Sequence, residues 1–513
     1  MSEVEGGLPR VFPSVVHMLY DAAERAPGAT AIVCADRRLT YAEYRRCIAG
    51  FAHELVALGA RGSRVALVLG NSIEMAIAMF ATHAAGAQAT PINPIYTARE
   101  LTHIVRDAQP AVLLYDGDSA ATVEPLLDSL AVPAAIRLGE GGRLLDVWRS
   151  DDRQQLPQPM PRPEDLATLQ YTGGTTGLPK GVNITHGQMS VNISQREAAL
   201  PTRPEDESIL CVMPLFHVFA VAMCLHLACY CRGRLVVMPR YRPDWLLETL
   251  RAERITRLPA GPTVFIGLMG CEGFAQADFS SLRTCYSGSA PLPEETMKRW
   301  QERTGTPILE GFGQTEAGPV LTYVREGAAI KPGSSGPALP RTEIEIVDAN
   351  DGVTRLPVGE IGEVRARGPQ IMAGYRNRPS ETAEALRDGW LYTGDLGELD
   401  ADGYLYIRDR KKDMAIVGGY NVYPREVDEV LHAHPGILEA AAVGVPDPYR
   451  GEVIRAYVVC RPGHRLDAEA VLEHCRANLA RYKVPAAVEF VDSLPRTTVG
   501  KIDKKTLRQD VIA

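Results

Sequence analysis

Residues 64–80 read RVALVLGNSIEMAIAMF, and this stretch decides the fold class. Arg64–Gly70 is a short apolar run of strand type, and the residues beyond it continue as an apolar helix through Met75 and Phe80. Working outward, Ala111–Tyr115 (AVLLY) and Leu235–Met238 (LVVM) are further strand-type runs, separated by helical patterns. Strands spaced by helices build parallel βαβ units, so a doubly wound α/β domain is expected. From about Glu343 the texture changes to closely spaced strands, EIEIVD, GEIGEVRARG and GYLYIRD, which predict a β-rich subdomain. After the charged, exposed-looking DRKKD at 409–413 come a strand, a helix opening at Pro424, strands ILEAAAVGV and VIRAYVVC, and a helix near 467–480. The expected division is a large domain over 1–408, a hinge at 409–413 and a small α+β domain over 414–513.

The 513 residues are too many for one compact core, in keeping with that division. A hydrophobic content of 45% with a net charge of −8 excludes disorder as the main state. A pI near 5.9 argues against nucleic acid as a partner. The ten cysteines form no repeating framework, and Cys34, Cys211, Cys224 and Cys460 sit in apolar stretches as reduced thiols do. With no basic-then-apolar leader in MSEVEGGLPRVFPS, a cytoplasmic protein is expected. Residues 208–231 contain no Asp, Glu, Lys or Arg over a length that could span a bilayer, but Pro214, His217 and His226 interrupt them. A buried strand, loop and core helix is the expectation there. Cys224, His226, Cys229 and Cys231 have a spacing that matches no usual zinc site.

Four motifs carry chemistry. YTGGTTGLPKG at 171–181 sets glycines, threonine hydroxyls and a lysine after an apolar segment, a pattern suited to a polyphosphate; it lacks the Lys-Ser/Thr pair of a Walker A loop. EGFGQTE at 310–316 offers the flat ring of Phe312 for a purine, with Thr315 and Glu316 as hard oxygen donors of the kind Mg²⁺ takes. YTGD at 392–395 places an acid in a tight glycine turn, able to accept from two ribose hydroxyls. LPRTTVGK at 494–501 puts a lysine in a basic, mobile tail that can reach across a domain interface.

In this order, with DRKKD, these motifs resemble the adenylate-forming superfamily of acyl-CoA synthetases, luciferases and peptide-synthetase adenylation domains. LQYTGGTTG, MPLFHVFAV and DFSSLRTCYSGSAPLP look most like bacterial fatty-acyl-CoA ligases, with coumarate-type ligases next. The resemblance implies ATP-dependent activation of a carboxylic acid, a medium- or long-chain fatty acid, to an acyl-adenylate, then transfer to coenzyme A. The alternatives are an aromatic-acid ligase and an enzyme that loads a carrier protein. It also implies roles. Thr172, Gly173, Gly174, Thr175, Thr176, Gly177 and Lys180 would hold the phosphates of ATP. Gly288, Ser289, Ala290, Glu310, Gly311, Phe312, Gly313, Gln314 and Thr315 would surround the adenylate, with Asp395 and Arg410 on the ribose. Glu316 and Thr172 would bind Mg²⁺ and Lys501 would bridge the reacting groups. His217, Phe219, Thr263, Gly288 and Gly311 would meet the acyl group, Gly418 and Gly419 would line the CoA channel, and Lys412 would be the hinge about which the small domain rotates. Peripheral membrane contact and a dimer are compatible with the family.

The chemistry asks for positive charge at the reacting phosphate and no nucleophilic side chain, consistent with the lack of a G-x-S-x-G elbow. Val218, Phe219, Val221, Met223, Val264 and Phe265 are apolar, and no Arg or Lys falls within 208–231. A neutral hydrophobic acyl group is the expected occupant.

Overall fold

A computed structural model describes residues 7–152, 154–172, 179–497 and 500–509. Residues 64–80 form the expected strand Arg64–Val68 and helix Ile73–Ala84; Ser72 caps the helix by accepting from Met75 N–H. The helix is buried along its whole length, the fate of one that is apolar all round.

The α/β part of the large domain contains two sheets. In the first, Leu166–Thr172, Gln88–Ile92, Arg64–Val68, Val112–Tyr115 and Ala134–Arg137 run parallel, and Lys180–Thr185 and Gly374–Tyr375 add on antiparallel. In the second, six parallel strands run in the order Ile308–Gly313, Thr284–Ser287, Arg257–Ala260, Ser208–Cys211, Arg234–Val237 and Thr30–Cys34. Val320–Tyr323 and Arg37–Thr40 close its ends antiparallel. One continuous apolar core joins residues of both sheets to the helix Ile73–Ala84.

The β-rich subdomain is a five-stranded antiparallel sheet built on Glu343–Val347, Gly362–Arg367, Trp390–Leu399 and Leu405–Arg410. The small α+β domain pairs Ile437–Asp447 with Gly451–Cys460 over ten residue pairs and packs the helices Pro424–His432 and Ala468–Asn478 around its own core.

Residues 208–231 are a strand, Ser208–Cys211, a loop and a helical segment over 218–230 whose middle, Val221–His226, is wound as a π-helix. Among the described residues no helix is long and apolar enough to cross a membrane, and no group of three or more His, Cys, Asp or Glu could hold a metal. All ten cysteines are free; eight are buried, while Cys271 in the large domain and Cys460 in the small one are half-exposed.

One expectation needs correction. Asp409 of DRKKD is buried, because its carboxylate accepts from Arg410 N–H at 2.8 Å and from Arg425 N–H at 3.1 Å. It thereby ties the last strand of the β-rich subdomain to the first turn of the helix Pro424–His432. Arg410, Lys411 and Lys412 are exposed as expected.

Candidate active site

Open α/β sheets bind ligands beyond the carboxyl ends of their parallel strands, and the predicted residues gather there. Thr172 ends Leu166–Thr172, Gly288–Ala290 follow Thr284–Ser287, Phe312 and Gly313 end Ile308–Gly313, and Thr263 follows Arg257–Ala260. Gly173, Gly174, Thr175, Thr176 and Gly177 lie outside the described residues.

Two glycines allow close approach. A Cβ on Gly288 would stand 2.8 Å from Phe219 Cε2, and one on Gly311 would stand 2.6 Å from the Tyr323 ring. Ser289 holds φ +71°, an uncommon left-handed backbone for a residue with a Cβ, of a kind that clusters at functional sites. Phe312 is half-buried rather than fully exposed, packed against the core with its N–H donating to Thr322 Oγ1 at 3.2 Å. Thr315 is buried and opens a single helical turn, Thr315–Ala317, that carries Glu316. Glu310 is directed elsewhere: its Oε1 accepts from Leu292 N–H at 3.3 Å, and burial raises its carboxyl to about 7 against the pull of Arg425.

Glu316 Oε1 accepts from the Tyr375 hydroxyl at 2.8 Å, and Lys180 Nζ stands 4.6 Å from the centre of the same Tyr375 ring. Thr172 pairs with Lys180 across the hairpin of their two strands. Tyr375 therefore stands between Lys180 and Glu316. Sequence reasoning missed it, since a tyrosine in a two-residue edge strand carries no local signal. Glu316 has no ion pair with Lys or Arg among the described residues, and its carboxylate is the kind of oxygen donor a hard cation takes.

Asp395 stands inside the strand Trp390–Leu399, not in a turn as expected; Gly394 before it takes φ +71° and accepts from Lys411 N–H at 3.0 Å. Asp395 pairs in register with Arg410, whose Nε is 3.3 Å from its Oδ1. Burial raises the Asp395 carboxyl to about 6 although Arg410, Lys501 and Lys412 pull it down.

Lys501 is hydrogen-bonded to Thr497. Its N–H donates to Thr497 Oγ1 at 3.2 Å, its carbonyl accepts from Thr497 N–H at 2.7 Å, and Arg496 bridges Ile502. Gly500 lies against Thr263, whose Oγ1 is 4.0 Å from where a Cβ would sit. Burial and Arg410 lower the Lys501 ammonium to about 8, with Asp395 pulling the other way.

His217 caps the helical segment after it by accepting from Phe219 N–H through Nδ1 at 3.3 Å. In the neutral ring the proton is then on Nε2. Burial, helped by the Lys501 charge, pushes the imidazole down to about 3, so it stays neutral in the working range. Lys501, Asp395, Arg410 and His217 thus share one electrostatic neighbourhood. Gly418 and Gly419 do not join it in any recorded contact; both are exposed with φ +58° and +87°.

Residues 19–376 match the family described as AMP-binding enzyme, and residues 426–501 match the AMP-binding enzyme C-terminal domain. The chain is 35% identical over 546 aligned residues to a long-chain-fatty-acid–CoA ligase of Bacillus subtilis (strain 168), covering 99% of this chain and 97% of that protein. It is 38% identical over 493 residues to a feruloyl-CoA synthase of Amycolatopsis sp, with 95% and 97% covered. A solved structure of the anthranilate CoA ligase AuaEII in complex with anthranoyl-AMP superposes with a TM-score of 0.92 at 29% identity, covering 99% of each chain.

Proposed function

Since the chain belongs to the AMP-binding, adenylate-forming enzyme family and is an acid–thiol ligase, we propose that it activates a medium- or long-chain aliphatic acid with ATP and passes the acyl group to coenzyme A. The observation that carries the reading is that the Lys501 charge acts on both His217 and Asp395, with Arg410 Nε 3.3 Å from the Asp395 carboxylate. Attack of a carboxylate on the α-phosphate brings one anion onto another. A fixed ammonium at that point stabilises charge that develops only in the transition state. Asp395, ionised above about 6, accepts from the ribose hydroxyls, and Arg410 holds it in place. Neutral His217 offers Nε2–H to the substrate carboxylate without adding a second full charge beside Lys501. Glu316 and Thr172 would hold Mg²⁺, which would supply charge neutralisation on the phosphates. Pyrophosphate leaves, sulfur adds to the acyl carbon and AMP departs.

Gly418 and Gly419 serve the thioester step. They belong to the same small domain as Lys501, so the domain, taken as 414–513, turns on 409–413 between half-reactions with Lys412 absorbing the torsion. The large body is 1–408. The aliphatic preference rests on the apolar residues Val218, Val221 and Met223, all near the acyl-side candidates. An aromatic acid is the second reading, favoured by the 38% identity to a feruloyl-CoA synthase. The test is pyrophosphate release across aliphatic and aromatic acids, with and without CoA. Release driven by decanoate and AMP formation with CoA are expected; turnover of cinnamates alone would transfer the assignment to aromatic acids.

A further inference from the structure

The helix His186–Ala199 sends Arg196 into the interior, where it is only 4% exposed. Nε donates to Asn192 O at 3.3 Å, and Nη1 donates to Ala222 O at 2.7 Å and lies 3.3 Å from Met223 Sδ. Nη2 has no acceptor among the described residues, and no carboxylate forms an ion pair with this guanidinium. Glu197, the next residue, commits both carboxylate oxygens to Thr202. Burial lowers Arg196 only to about 10, so it is charged at neutral pH. A largely buried cation with no carboxylate beside it is an arrangement that folds avoid unless a partner arrives.

Two more polar groups near it are open. His226 Nε2 and Tyr323 Oη are buried without a hydrogen-bond partner. Arg196 and His226 line one narrow cavity with Met79, Ile193, Val221 and Pro319. Its open volume of about 20 Å³ holds a single water. Val218 and Gly318 also line it, so its walls come from residues directly after His217 and just after Glu316. Tyr323 feels the Arg196 charge and packs its ring under Gly311, on the acyl side. The lack of a basic residue within 208–231 is thus offset from another helix, which the linear sequence does not reveal.

We propose that Arg196, with His226 Nε2 and Tyr323 Oη, forms the far end of the acyl site and receives a carboxylate carried at the distal end of the acid being activated. The apolar walls between suit a run of methylenes, so the preferred class is α,ω-dicarboxylic acids of intermediate length. This rests on the acid-activating reading above and changes only what ends the chain. A carboxylate there supplies the missing counter-ion and takes up the open donors; a methyl group leaves all of them unmet.

The experiment is pyrophosphate release from paired straight-chain acids of equal length, mono- and dicarboxylate, from six to fourteen carbons. At the fitting length the wild type is expected to favour the diacid at least tenfold in kcat/KM. Arg196→Met should shift the diacid-to-monoacid ratio at least thirtyfold towards the monoacid, chiefly through KM, and Tyr323→Phe should shift it the same way by less. No length at which the wild type favours a diacid would overturn the proposal, as would an Arg196→Met ratio that stays at the wild-type value. If Arg196→Met does not fold, the wild-type preference and Tyr323→Phe decide the matter. Failure of every acid in both series would instead remove the aliphatic reading and this inference with it, an outcome distinct from monoacid turnover alone.

Discussion

A lysine poised at about 8 is charged at neutral pH but loses its proton within the range in which the enzyme can be assayed. Lys501 is charged below that value, so kcat/KM for adenylate formation should fall as pH rises through about 8. Asp395 is ionised above about 6, so the same parameter should fall as pH drops through about 6. His217, held down near 3, adds no limb between them. Lys501→Ala should cost about 2.7–4 kcal/mol of transition-state stabilisation in adenylation, by analogy with loss of one oxyanion donor, and should abolish the alkaline limb. Thioester formation from supplied acyl-adenylate and CoA should proceed near the normal rate in that variant. Equal slowing of both half-reactions would make the residue structural. Tyr375 allows a separate test. Its hydroxyl fixes Glu316, so Tyr375→Phe should raise the Mg²⁺ concentration needed for half-maximal pyrophosphate release by about tenfold, the scale of lost ligand support. A Mg²⁺ titration that overlays the wild type would separate Tyr375 from the metal.

At the level of elements, the strand ends set how tightly the site is built. Gly311 closes the strand Ile308–Gly313 onto Tyr323, where an added Cβ meets the ring at 2.6 Å and Thr322 O at 3.0 Å. Gly311→Ala should destabilise the fold by about 1–3 kcal/mol through overpacking, read as a lower urea midpoint at constant slope. An unchanged midpoint would mean that Tyr323 moves freely. The alternation of strand and helix was legible from residues 64–80 onward, because strands buried on both faces are continuous apolar runs and do not depend on distant partners for their pattern. The motifs at 310–316, 392–395 and 494–501 were legible as chemistry too. Their geometry was less so: Asp395 lies in a strand and Asp409 is buried, since cross-strand and cross-domain partners such as Arg410 and Arg425 lie fifteen or so residues away. Arg196 and Tyr375 were illegible for the same reason, as each matters only through what another element brings beside it.

At the scale of the whole molecule, the proposed mechanism has the large and small domains share one site, and the stretch between them is short. Arg508 pairs with Asp413 at 2.8 Å and Arg425 N–H with Asp409 at 3.1 Å, so residues on both sides of Lys412 are anchored to the small domain. Lys412 itself is exposed between these two anchored residues, the place proposed for torsion to change. Lys412→Pro fixes φ and restricts Lys411 before it. Adenylate formation should persist in this variant while thioester formation slows at least tenfold, each measured alone. Slowing of adenylation only would refute a hinge at this point.

The distribution of thiols then has a practical result. Eight sulfurs are sealed in the interior, and Cys271 and Cys460 reach the surface on opposite bodies. A maleimide dye pair attached to the unmutated chain would place one fluorophore on each, and energy transfer between them would report the proposed swing, turnover by turnover, in single molecules.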